Sequence, residues 1–80
     1  MILPSKHINF SQSLLGLGAY ILSKLDSPKS VDELWEGYLS DYNNHVYLAK
    51  HRFDNLVMTL IFLYSVGSIV EENGVVEKCV

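Results

Sequence analysis

Apolar positions recur at helical spacing along three stretches of the chain and alternate only near its end. In residues 11–25, Leu14, Leu15, Leu17, Ile21, Leu22 and Leu25 occupy much of a helical circumference, as in a central core helix. Ser11 is the expected N-cap. Gly16 and Gly18 each weaken a helix by about 1 kcal/mol relative to alanine. That points to close approach of another backbone on their side. Pro28 disfavours helical geometry at Ser27 and ends the element. Residues 30–43 carry the clearest start signal: Ser30 with Glu33 makes a capping box, and Asp32 and Glu33 suit the positive end of the helix dipole. Leu34, Trp35, Tyr38 and Leu39 follow one face of this second helix. The third helix is expected over residues 51–66, with Phe53, Leu56, Val57, Leu60, Leu63 and Tyr64 as its inner stripe. Met58, Ile61 and Phe62 widen its apolar sector well beyond that stripe.

Gly67 suits the left-handed position just past a helix end. Residues 68–79 then read as two strands around Asn73-Gly74, a pair suited to a type I′ turn. That turn sets Glu72 opposite Val75 and Val70 opposite Glu77. A three-residue loop would shift the register, and the pattern leaves both open. Residues 1–10 read as an extended arm, and the stretch from His45 to Lys50 as a loop or a single turn. Three helices followed by a hairpin predict one mainly α, α+β domain of winged-helix type over residues 1–80. The hairpin is its wing, packed against the end of the third helix through Ile69 and a valine. A three-helix bundle with a frayed tail is the alternative, and the Asn-Gly corner argues against it.

Composition narrows the function. A chain of 80 residues buries only about 60% of the surface its unfolded form exposes. Yet 49% of its residues are hydrophobic, so apolar surface is expected outside, where it marks a partner. A net charge of −3 opposes nonspecific attraction to phosphate backbones. The single cysteine, Cys79, cannot staple the fold, no signal peptide is visible, and the longest apolar run, Leu60 to Tyr64, is too short to span a membrane. A cytoplasmic, membrane-free protein is the expectation.

No constellation carries catalysis. Gly16 and Gly18 lack the third glycine of a dinucleotide fingerprint, since Ile21 holds its place. His7, His45, His51 and Cys79 have no metal-ligand spacing, and nothing marks a nucleophile elbow. No catalytic, cofactor or metal residue is therefore assigned. The only basic cluster is Lys50, His51 and Arg52, at the start of the third helix, with His45 and Lys6 as expected neighbours. In DNA-reading winged helices that position faces the major groove. Here the exposed middle of the helix offers Asn55, Met58, Thr59 and Phe62, with no arginine or lysine for a guanine edge, and the wing carries Glu71, Glu72 and Glu77. Trp35 and Tyr38 read as core. Tyr42 and Tyr47, in an irregular stretch, and Met58, Ile61 and Phe62 on the third helix are the candidate protein-binding residues.

Four stretches, ILPSKHI, SQSLLGLGAYIL, SVDELWE and FDNLVMTLIFLYSVGSI, resemble in order and spacing the middle component six family of bacterial ABC-three-component systems. The resemblance covers nearly the whole chain. It implies a small protein encoded between a large ABC-type ATPase, related to chromosome-organising ATPases, and a separate effector, in a system directed against phage or other mobile DNA. It further implies an adaptor joining ATPase to effector, with no activity of its own. Two readings stand: this protein-binding adaptor, and a DNA-binding winged helix acting as a regulator or as the DNA contact of an assembly. Self-association into a homodimer through the apolar patch is a third, weaker expectation.

Overall fold

The computed structural model describes residues 13–47 and 49–79; the expected arm, residues 1–10, lies outside them. In chain order the elements are α1 (Leu14–Lys24), β1 (Lys29–Ser30), α2 (Val31–Asn43), α3 (Phe53–Ser65), β2 (Ile69–Glu72) and β3 (Val75–Lys78). The strands form one antiparallel sheet in the order β1-β3-β2. Three helices and this sheet make an α+β arrangement compatible with a winged-helix-like fold.

Local chemistry fixes most element ends. The N-cap of α1 is Ser13, whose hydroxyl accepts from the Gly16 N–H at 2.9 Å; the expected cap, Ser11, lies outside the described residues. At α2 the capping box is complete: Ser30 Oγ accepts from the Glu33 N–H, and Glu33 Oε1 accepts from the Ser30 N–H. These bonds hold the Glu33 carboxyl below its ordinary pKa. At the end of α3, Gly67 has φ +80°, the Gly67 N–H donates to Tyr64 and the Ser68 N–H donates to Leu63, a Schellman closure. α2 ends the same way, with the Val46 N–H donating to Asp41. There His45 takes the left-handed position at φ +61°, where an L side chain is strained.

Asn73 and Gly74 both have positive φ, and the pairs are Glu72↔Val75, Glu71↔Val76, Val70↔Glu77 and Ile69↔Lys78. The two-residue turn is therefore the one adopted. β1 was not expected from the pattern, because two residues carry no period. It exists because Lys29 and Ser30 pair with Val76 and Val75, so the wing is anchored along β3 as well as through its side chains.

The core gathers Leu17, Ile21 and Leu25 of the α1 segment, Leu34 of α2, Leu56, Leu60 and Leu63 of α3, and Ile69 and Val76 of the hairpin. The inner face of α3 is rotated from the expected stripe. Leu56, Thr59, Leu60 and Leu63 are buried, whereas Phe53 and Tyr64 are exposed. Thr59, expected on the outside, is fully buried; its hydroxyl is satisfied by donating to the Asn55 carbonyl at 2.7 Å. α1 is likewise covered on one side only among these neighbours: Leu17 and Ile21 are buried, Leu14 and Leu15 exposed. Gly18 faces α3, but a Cβ there would meet Thr59 and Leu63 side chains at 3.5 Å, ordinary contact. The close backbone approach expected at Gly18 is absent.

Candidate functional site

The expected protein-binding residues fall into two places. The first is an aromatic cluster where α2, the linker after it and the start of α3 meet. Tyr38 is its centre, 1% exposed. Its hydroxyl donates to the Ala49 carbonyl at 2.7 Å and accepts from the His51 N–H. One phenol thus fixes both ends of the short stretch entering α3 and keeps His51 outside the helix, which starts at Phe53 rather than at His51. Trp35 stacks on Tyr38 with ring centroids 5.2 Å apart, and Phe53 meets Trp35 edge-on. Tyr47 packs against Tyr20, Tyr38 and His51 and is half-buried; Tyr42, also half-buried, stacks beside Tyr38. The Tyr20 hydroxyl donates to Asp41, which also pairs with Lys24 at 3.0 Å. Tyr20 and Lys24 together hold the Asp41 carboxyl below its ordinary pKa, and burial beside that carboxylate pushes the Tyr20 phenol upward. Tyr42 and Tyr47 are therefore parts of an internal network whose rings mostly find each other.

The second place is the outward side of α3. Met58, Ile61 and Phe62 are 52%, 63% and 45% exposed. Tyr64 and Val66 are exposed beside them. Two apolar grooves flank this ridge. One, about 380 Å³, lies between α3 and the inner face of the sheet, with Val31, Val57, Ile61, Tyr64, Ile69 and Val76 along it and Glu71 at its side. The other, about 390 Å³, lies between α1 and α3, with Leu15, Ala19, Leu22, Phe62 and Val66 along it. Leu15, Tyr64 and Val66 were not among the expected residues. In sequence α1 is apolar nearly all round, so nothing distinguished Leu15 from its core neighbours, and Tyr64 read as part of the inner stripe.

The basic cluster does not assemble on the surface. Lys50 and Arg52 are exposed, but His51 is buried, with its Nδ1 3.1 Å from the Asn55 amide nitrogen. His51 is removed from the candidate nucleic-acid residues because its backbone is tied to Tyr38 and its ring turns into the aromatic cluster. Arg52 lies 4.0 Å from Asp54. Lys6 lies outside the described residues. Among the described residues no His, Cys, Asp or Glu group is placed to hold a metal ion, and no helix is long and apolar enough to cross a membrane.

The third helix of this α+β domain thus carries a greasy ridge in which Met58, Ile61 and Phe62 are exposed. The chain's family is defined by sequence: residues 3–79 match the family model of the ABC-three component (ABC-3C) system Middle Component 6. The chain belongs to that family, and is thereby a component of such a system; the family is not a known enzyme family. No curated protein and no solved structure matches the chain.

Proposed function

We propose that the chain is a non-catalytic, cytoplasmic adaptor that joins the large ABC-type ATPase of its system to an effector, in bacterial defence against phage or other mobile DNA. The observation that carries this reading is the ridge of α3, where Met58, Ile61 and Phe62 stay exposed on a helix with no lysine or arginine. An exposed apolar surface of this kind on a small domain marks a protein partner. Membership of a middle-component family fits a protein that works with the other components of its system. The two grooves on opposite flanks of α3 supply two separate surfaces, as a protein holding two partners requires.

The DNA-binding alternative draws less support. At the start of α3 the sequence supplies two fixed positive charges, Lys50 and Arg52, and the wing carries Glu71, Glu72 and Glu77. Coexpression with the ATPase and effector encoded beside it, followed by affinity purification, tests the adaptor. A ternary complex is the expected result, and failure to retain either protein refutes it. A gel shift at about 50 mM salt, where phosphate contacts are strongest, is expected to show no binding by the isolated domain.

A further inference from the structure

The sheet ends on one side at β1 and on the other at β2, and only the first of these edges is closed. At β1 the Ser30 N–H, turned away from β3, is taken by Glu33 Oε1 at 2.8 Å. At β2 nothing corresponds. In a two-residue hairpin the pair flanking the turn, here Glu72 and Val75, is hydrogen-bonded, and bonded and non-bonded pairs then alternate. Glu72 and Val70 therefore bond to β3, and the Cys79 N–H donating to the Ser68 carbonyl continues the alternation. Glu71 and Ile69 turn their N–H and C=O groups away from β3, and among the described residues no backbone bond reaches these groups. Glu71 is exposed. The strand has no proline, lysine or bulge to block pairing. Such an edge is completed by one kind of occupant, an extended backbone that adds as a further strand.

A second copy of β2 is a poor occupant. Its outward-bonding residues are again Ile69 and Glu71. Of the two antiparallel registers that overlap most, one sets Glu71 against Glu71 of the copy, and like charges directly opposite are destabilising. The other places the two-fold axis at Val70 and joins the two outer sheet faces. Each of those faces carries Val70, Glu72, Val75 and Glu77, while Lys29 and Lys78 stand on the side of Val76. The joined face would hold every one of these glutamates and no lysine. The same arrangement favours a foreign strand with a cation opposite Glu72.

We infer that the free edge of β2 takes an extended segment of a partner protein as the fourth strand of the sheet, bonded to the Glu71 backbone and carrying a lysine or arginine opposite Glu72. Its alternate side chains then point toward the α3–wing groove, which Ile69 and Glu71 border from this strand and Ile61 and Tyr64 from α3. The inference rests on the adaptor reading and names the form in which one partner binds.

The test uses the full chain and, separately, the ATPase and effector encoded beside it. Hydrogen exchange resolved to single amides is read in the chain alone and in each complex. The Glu71 amide is expected to exchange freely in the chain alone and to slow roughly tenfold or more in one complex, while the Val70 and Glu72 amides, bonded to β3 already, change little. Glu71→Pro deletes only an outward N–H, a place where a strand tolerates proline, and Glu71→Ala is its control for the lost side chain. With thermal melts to compare their folding, the proline variant is expected to bind that component roughly tenfold more weakly than the alanine variant, and Glu72→Lys to weaken it roughly threefold. A complex in which the Glu71 amide stays unprotected, a proline variant that melts and binds like the alanine variant, or protection that grows with the concentration of the chain alone overturns the strand addition and leaves the adaptor standing. No complex with either component overturns both.

Discussion

The aromatic cluster around Tyr38 and the ridge of α3 begin from the same signal, an excess of large apolar side chains over what a small core absorbs. They end differently. Around Tyr38 the rings cover one another, and the polar tips have internal partners: Tyr38 with Ala49 and His51, Tyr20 with Asp41. On α3, Met58 and Ile61 have more than half their surface in water. Aromatic residues with a hydroxyl can build a closed polar and apolar network within one chain. A ridge of Met, Ile and Phe has no hydroxyl with which to build such a network, and it stays exposed.

The sharpest way to break this comparison is to remove the centre of the cluster. Tyr38→Ala is expected to cost about 3–5 kcal/mol, as for other large aromatic truncations in cores. At roughly 4–8 °C per kcal/mol for a domain of this size, that leaves little folded protein in a thermal melt. Tyr38→Phe keeps the ring and removes only the bridge between Ala49 and His51. It should cost about 1–3 kcal/mol, because a backbone carbonyl and an N–H lose their partner. A loss well below that range would show that the bridge contributes little to fixing the linker.

Acid should loosen the cluster before the ridge. The folded Asp41 carboxyl is held below its ordinary value by Tyr20 and Lys24. Its stabilisation is complete above about pH 4, near the unfolded pKa, and fades as pH falls through the lower folded value. The melting temperature of the parent should therefore fall more below about pH 4 than that of Asp41→Asn, which lacks the titrating group. The smallest effect belongs to the ridge: Ile61→Ser is expected to move stability by no more than about 0.5 kcal/mol while weakening partner binding. A large stability loss there would mean that Ile61 is structural.

What was legible in sequence is what short-range chemistry dictates. The Ser30–Glu33 box, the glycine after α3 and the Asn73-Gly74 corner each act within a few residues, and each is present. The exposure of Met58, Ile61 and Phe62 could also be anticipated, from an apolar sector too wide for one core-facing stripe. What was not legible depends on distant partners. β1 exists only because β3 lies beside it, since Lys29 and Ser30 have no pattern of their own. Thr59 enters the core because α1 packs there with a glycine opposite it and because its hydroxyl bonds back to Asn55. His51 turns inward because a tyrosine 13 residues earlier takes its N–H. Basic neighbours at positions 50 and 52 gave no hint of that.

Ser30 belongs to two elements at once. It ends β1, paired with Val75, and its side chain caps α2. A load that levers the wing outward must peel β1 from β3 and, in the same stroke, disturb the first turn of α2. Hydrogen exchange at the Glu33 amide is therefore a remote gauge of wing displacement, readable on the opposite side of the sheet junction from any molecule that pulls it.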